Sequence, residues 1–134
     1  MLAVADEEES GEVSELSGRY AALTRRLVDS VLLTSGHTSS ELRRGIEAQA
    51  ARIGGRRTPP APGDAGDGVP APLSGYVDKV ARHAYKVTDD DVAALQRVGN
   101  SDDVLFEVTV AAALGGALAR LERGLAALRR EVPD

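Results

Sequence analysis

The stretch from Val104 to Ala119 constrains the fold of this chain more than any other segment. It is apolar on nearly every helical face, and only Glu107 and Thr109 interrupt it. A helix that is hydrophobic all round is buried by its neighbours. Leucines then continue at steps of four and three, the spacing of a coiled-coil seam, at Leu114, Leu118, Leu121, Leu125 and Leu128. We therefore expect a long, buried C-terminal helix, part of whose cover comes from a second subunit.

Two adjacent glycines lie in the middle of this predicted helix. Gly115 and Gly116 each cost about 1 kcal/mol of helix stability relative to alanine. A helical segment keeps such residues when something must approach its backbone closely. The sequence therefore predicts that another helix packs directly over them.

A helical half is predicted for residues 16–53. The segment Thr34 to Gly36 ends its first helix, and Ser39 or Ser40 caps the second. Steps of three and four predict the inward faces of both helices. The inward residues are Leu16, Tyr20, Leu23, Leu27 and Val31 in the first, and Leu42, Ile46, Ala50 and Ile53 in the second.

A second helical half is predicted for residues 72–130. Pro72 suits a first helical turn, Thr88 with Asp91 resembles a capping box, Gly99 favours a left-handed helix end, and Ser101 can cap the last helix. The inward residues are Leu73, Val77, Val80, Ala84, Val92, Leu95 and Val98. Since no strand-like alternation is present, we expect an all-α bundle of about five helices.

The remaining segments divide the chain. Residues 1–15 form an acidic stretch with little to bury, and we expect them to be flexible. Residues 54–71 hold four of the six prolines and no periodicity, which predicts a linker between the two halves. Residues 16–134 are therefore expected to be a single helical domain.

The amino-acid composition of the chain excludes several classes of function. The chain has no cysteine, which excludes disulfides, thiol nucleophiles and cysteine metal ligands, and its two histidines do not suit a histidine-rich metal site. We expect no cofactor. A net charge of -5 argues against a nucleic-acid partner. No uncharged apolar run reaches the ~18 residues of a membrane span, and no secretory signal is visible. We expect a cytoplasmic protein without a membrane partner.

The segment from Tyr76 to Leu128 contains an ordered set of short motifs. They are Tyr76-x-x-Lys79-Val80, Val87-Thr88-Asp89-x-Asp91-Val92-x-x-Leu95, Gly99-x-Ser101-Asp102-Asp103, Phe106-Glu107 and Arg120-Leu121-x-x-Gly124-Leu125. In this order they resemble a known family, the carboxymuconolactone decarboxylase and AhpD-like alkylhydroperoxidase superfamily. The resemblance implies an AhpD-like helical bundle. Members commonly assemble as trimers or hexamers of all-helical subunits, so the resemblance also implies a homo-oligomer. We expect a dimer, trimer or hexamer.

The chain departs from the redox members of that family. When the family's glycine is aligned with Gly99, the two cysteines of its Cys-x-x-Cys motif align with Ala84 and Val87. The family's histidine then aligns with Asp91. None of these three residues is the one that the family has. Attack on a peroxide through a thiolate requires a thiol, so cysteine-based peroxidase chemistry is excluded. The family's decarboxylases use no cysteine pair. The resemblance therefore leaves acid–base chemistry on a small acidic ligand open.

Four residues are candidates for such chemistry, and each has a structural alternative. His83 is a general acid or base, or a partly buried helix histidine. Glu107 is a pocket carboxylate with a raised pKa, a partner of an arginine, or part of a wet subunit interface. Arg120 binds an anionic substrate, or pairs with Glu107 or an aspartate. Tyr85 is a proton donor, or a core or interface residue.

A local basic cluster lies within and just after the second predicted helix. It either binds an anionic partner or offsets the acidic N-terminus, and its members are Arg43, Arg44, Arg52, Arg56 and Arg57. Asp89, Asp90 and Asp91 match no calcium-loop spacing, and helix capping explains them.

Three functional hypotheses follow from the sequence. The preferred one is a family member without the redox site that acts as a non-catalytic homo-oligomer or partner-binding protein. The alternative is a cysteine-independent acid–base enzyme of the decarboxylase or lactone type that brings His83, Glu107 and Arg120 together. The third is a helical adaptor that uses the leucine seam of the last helix.

Overall fold

The computed structural model of the protein describes residues 11–57 and 68–129. It contains five α-helices, which are α1 (Gly11–Leu32), α2 (Ser40–Ile53), α3 (Ala71–His83), α4 (Asp89–Arg97) and α5 (Asp102–Leu128). A short 3-10 turn, Ala84–Lys86, joins α3 to α4. No strand occurs within these ranges. The prediction of an all-α chain with about five helices and a long last helix is confirmed.

Local side-chain chemistry fixes where the helices begin. The Ser39 hydroxyl accepts the Leu42 N–H at 3.0 Å, and the Ser101 hydroxyl accepts the Val104 N–H at 3.2 Å. Thr88 and Asp91 form both bonds of a capping box. These bonds satisfy N–H groups that the first helical turn leaves without a partner. Each of these caps was predicted from sequence.

The core lies where α5 crosses α2, α3 and α1. Ile46 of α2, Val77 of α3 and Val108 of α5 are its largest fully buried side chains. Pro72 lies in the first turn of α3, as predicted, and Leu95 of α4 closes one end of the core.

The glycine prediction for α5 is confirmed at Gly115. A Cβ built there would overlap the main-chain carbonyl of Glu47 in α2. A similar approach follows one turn later, where a Cβ on Gly54 would lie 2.9 Å from the Ala119 Cβ. Small residues on both helices therefore allow α2 and α5 to pack backbone against backbone.

Several predicted inward residues are exposed. On α1, Tyr20, Leu23 and Leu27 are 49%, 56% and 52% exposed, because the helix touches the core mainly through Val28, Val31 and Leu32. Leu16 lies among the residues whose side chains are not described. Val98 is 64% exposed after the end of α4, and Ala84 is exposed in the 3-10 turn.

Within one chain, α5 is not buried on all sides. Its inward face contacts α2, while Phe106 and Leu128 on the outward face are 70% and 65% exposed. The reason is that α1, α2 and α3 surround only part of its circumference. The cover that the sequence predicts from a second subunit would fall on this open face, and it stays a prediction.

α5 is also long and apolar enough to cross a bilayer by length and composition. The buried core helix of a water-soluble protein passes the same test. Residues 1–10 and 58–67 lie outside the described residues, so the expectations of a flexible start and of a linker stay predictions there. Because α1 begins at Gly11, residues 11–15, which we expected to be flexible, are helical.

Candidate functional site

Glu107 of α5 binds the loop that joins α1 to α2. Its carboxylate accepts the main-chain N–H of His37 at 2.7 Å and that of Thr38 at 2.8 Å, together with the Thr38 hydroxyl at 2.5 Å. Gly36 leaves the space for this approach, since a Cβ there would lie 2.6 Å from the nearer carboxylate oxygen. Glu107 therefore acts as an anchor for the loop.

The pKa of Glu107 is lowered. Burial alone would raise it, but the hydrogen bonds from Thr38 and His37 and the positive charge of Arg43 outweigh that effect. The expectation of a pocket carboxylate with a raised pKa is therefore wrong. A carboxylate that stays ionised and is saturated with N–H and O–H donors suits structural anchoring better than proton donation.

Arg43 of α2 binds the same loop from the core side. It is buried, with 4% of its surface exposed, and its guanidinium donates to the carbonyls of Val31 and Thr34, both at 2.6 Å. The sequence pattern places Arg43 in a local basic cluster that binds an anionic partner or offsets the acidic N-terminus, whereas its side chain is buried. Its register with Ile46 and Ala50, three and seven residues later, was the signal that it faces inward.

Arg120 of α5 connects this helix to α3 through its guanidinium group. It donates to the carbonyl of Gly116 at 3.1 Å and to that of Ala81 at 3.0 Å. Arg120 does not pair with Glu107 of the same chain, because the two residues are about 20 Å apart along the helix axis at 1.5 Å per residue. Arg120 thus reaches the end of α3, two residues before His83.

His83 and Tyr85 lie side by side on the surface. Their rings meet edge to face with centroids 5.9 Å apart, and Tyr85 is 81% exposed. Within the single chain His83 is therefore not partly buried and Tyr85 is not a core residue, because the last residue of α3 and the 3-10 turn after it both lie on the surface. The structure therefore brings His83, Tyr85 and the α3 end bound by Arg120 together, and leaves Glu107 apart.

The predicted basic cluster does not form one surface. Arg43 is buried, while Arg56 donates to Glu47 at 3.0 Å and to Glu122 at 3.0 Å. Burial alone would lower the pKa of Arg56, but the two carboxylates raise it. Arg52 and Arg57 remain exposed. In the described parts of the chain, no group of histidine, aspartate and glutamate side chains could hold a metal ion.

An open groove of about 720 Å³ runs between α1 and α5. Val28 and Leu118 line its apolar walls, and the Glu47–Arg56–Glu122 cluster lies at its polar end. Residues 20–28 of α1 face residues 118–125 of α5 across the groove, whereas the end of α1 lies near Glu107. The two helices are therefore antiparallel.

The outward side of α5 carries an uncharged stripe, which we call the α5 stripe. Its members lie within an arc of about 80° at 3.6 residues per turn, and no charged residue between Phe106 and Leu128 falls inside that arc. They are Phe106, Val110, Ala113, Ala117, Leu121, Gly124 and Leu128. Val110 is half-buried and the other six are exposed.

The α5 stripe approaches the exposed apolar residues of α1 at the groove. Tyr20 and Leu121 line the groove from opposite walls, whereas Leu23 and Leu27 are exposed on α1 outside the groove lining. We call the combined surface, formed by the α5 stripe with Tyr20, Leu23 and Leu27, the apolar face. Large exposed apolar surfaces mark interaction sites in many proteins.

No family model matches the chain, and no curated protein or solved structure is similar enough to count as a relative. The resemblance drawn from the segment Tyr76 to Leu128 therefore stays a prediction.

Proposed function

We propose that this protein works by association, as a non-catalytic α-helical module that pairs with a second copy of itself through the apolar face. The observation that carries the proposal is the exposure of that face. Six of its large side chains are about half exposed or more, namely Tyr20, Leu23, Leu27, Phe106, Leu121 and Leu128. Leaving so much apolar surface in water is unfavourable, and association relieves it.

The size of the apolar face suits a stable interface. With roughly 100 Å² of exposed area on each, the six large side chains present on the order of 600 Å² before the smaller stripe residues are added. A standard interface buries about 800 Å² per partner. The face therefore supplies most of the area that a stable pair of chains needs.

The positions of the four candidate catalytic residues favour a function in association over a function in catalysis. Glu107 and Arg120 both use their charged groups to hold parts of the fold together. His83 and Tyr85 lie on an exposed surface, where water would compete with any substrate contact. Acid–base catalysis needs converging groups, and Glu107 stands far from the others.

Charge placed on the apolar face tests this proposal. Ala117 lies at the centre of the α5 stripe and is exposed, so Ala117→Glu leaves the fold intact but places a carboxylate inside the proposed interface. We expect this variant to have the mass of a single chain by light scattering, at micromolar concentrations where the unaltered protein is paired.

The matched control is Ala94→Glu, which adds the same charge at an exposed position of α4 away from the apolar face. It should keep the paired mass. If Ala117→Glu and the unaltered protein have the same mass, the apolar face is not the contact. Far-ultraviolet circular dichroism of both variants would show that each is folded.

A further inference from the structure

The α5 stripe has the same spacing in both directions. From Phe106 to Leu128 its members are separated by four, three, four, four, three and four residues, so the pattern is symmetric about Ala117. A pair of identical chains joined by a two-fold axis places each interface residue opposite a residue of the same set. Because the spacing is the same in both directions, the stripe can pack against the stripe of a second copy in the antiparallel orientation with every member opposite another member.

We propose that two copies of this chain pair with their α5 helices antiparallel, about a two-fold axis that passes beside Ala117. This inference rests on the proposed function and deepens it, since it names the partner's orientation and register. Ala117 meets the partner's Ala117, and residues equally far on either side of it face each other. The resulting pairs are Phe106 with Leu128, Val110 with Gly124, and Ala113 with Leu121.

Side-chain size favours this register. Val110 falls opposite Gly124 and Leu121 falls opposite Ala113, so a larger residue meets a smaller one in the inner layers. A parallel pairing would instead place alanine on alanine and glycine on glycine in three layers, and leave voids there. Voids in an apolar interface forfeit dispersion contacts and are destabilising. The two alanines at the centre let the helix axes approach to about 8 Å.

Charge at the helix ends favours the same orientation. α5 begins with Asp102 and Asp103 and ends beside Arg129, all of them exposed. Antiparallel pairing brings the acidic first turn of one α5 to the basic end of the other, and it also sets the two helix dipoles against each other favourably. Parallel pairing would align aspartates with aspartates.

A two-fold contact of this kind also limits the assembly. Both partners use the same surface, so no copy of that surface remains free to bind a third chain once two chains have paired. The α1 residues of the apolar face lie beside the α5 stripe across the groove, and a partner seated on the stripe would cover the mouth of the groove. The expected product of this contact is therefore a closed dimer.

The absence of cysteine makes the register directly testable with single engineered thiols. Ala117→Cys should link two chains under mild oxidation, because the opposed Cα atoms lie within about 6 Å, inside the range of a disulfide. Ala113→Cys alone should not, because its two copies are about 12 Å apart along the axis. The double variant Ala113→Cys with Leu121→Cys should link again.

Ala94→Cys, on the exposed side of α4, is the control for random collision. We expect Ala117→Cys to link at least about tenfold faster than this control, because pairing raises the effective thiol concentration. Ready linking of Ala113→Cys alone would show a parallel pair and overturn the proposal. So would a failure of Ala117→Cys to link although its reduced form has the mass of a dimer. In that second case the proposed function stands, whereas a single-chain mass for the unaltered protein would remove both.

Discussion

At the scale of single residues, the loop between α1 and α2 is held by opposite charges from two sides. Arg43 binds the carbonyls of Val31 and Thr34 from the core, and Glu107 binds the N–H groups of His37 and Thr38 from α5. Each charge meets main-chain groups that the end of α1 and the loop would otherwise leave without partners. Both ions therefore stabilise the fold, since buried peptide groups need hydrogen bonds.

Replacing Glu107 with glutamine tests this account. Glu107→Gln keeps the size of the side chain, but its amide N–H₂ then faces a main-chain N–H and one donor loses its acceptor. We expect the free energy of unfolding to fall by about 1–3 kcal/mol, the usual result of leaving a part-buried donor unsatisfied. Urea denaturation at neutral pH measures this change.

The effect of Glu107→Gln should depend on pH. Because the pKa of Glu107 is lowered in the folded protein, the carboxylate contributes its full stabilisation above its ordinary pKa of about 4.3. That contribution disappears as the pH falls through the lower folded value. The difference between the two proteins should therefore shrink in acid. Glu41→Gln, at an exposed position in the first turn of α2, should lose only about 0.3–1 kcal/mol, the usual contribution of a carboxylate near a helix N-terminus, and a pH-independent gap for Glu107→Gln would contradict the account.

The helix caps could be read from sequence, whereas the roles of Arg43 and Glu107 could not. Ser39, Thr88 and Ser101 each act on the residue three positions later, so their effect is local. Glu107 binds a loop about 70 residues earlier in the chain, and only the packing of α1 against α5 brings the two together. Sequence marked Glu107 as unusual in an apolar helix but did not show its partner.

At the scale of elements, the contact between α2 and α5 sets how tightly the bundle packs. Gly115→Ala should gain helix propensity of about 1 kcal/mol, but its Cβ would overlap the Glu47 carbonyl, a main-chain atom that cannot rotate away. Overpacking costs about 1–3 kcal/mol. We expect a net loss of stability, measured as a lower urea midpoint.

Gly75→Ala on α3 is the matched control for that substitution. A Cβ there would meet nothing within 4 Å, so the variant should be as stable as the unaltered protein or more stable by up to about 1 kcal/mol. If both glycine variants raised stability equally, α2 and α5 would not approach as closely as described.

Element boundaries were predictable, but the exposure of helix faces was not. Caps and glycines mark helix ends through local hydrogen bonds and φ angles, as at Thr88 and at Gly99, whose φ is 105°. The apolar face of α1 has helical periodicity, yet Leu23 and Leu27 are exposed. Periodicity shows that a face is apolar, and it does not show whether the same chain or another one covers it.

At the scale of the whole molecule, the bundle is closed on one side and open on the other. α2 and α3 cover the inner side of α5, while the α5 stripe and the exposed residues of α1 form the apolar face. The sequence predicted that a second subunit would be needed, because α5 is apolar on nearly all sides. The candidate catalytic residues do not converge, since Glu107 and Arg120 lie about 20 Å apart along α5.

The absolute mass of the unaltered protein in solution tests the central claim most directly. Light scattering after size exclusion, at micromolar concentrations, should give twice the chain mass of 14.0 kDa. A mass that falls toward one chain on dilution would agree with the same claim, since a dimer dissociates by mass action. A mass of 14.0 kDa at every concentration would mean that the apolar face does not pair, and would contradict the account.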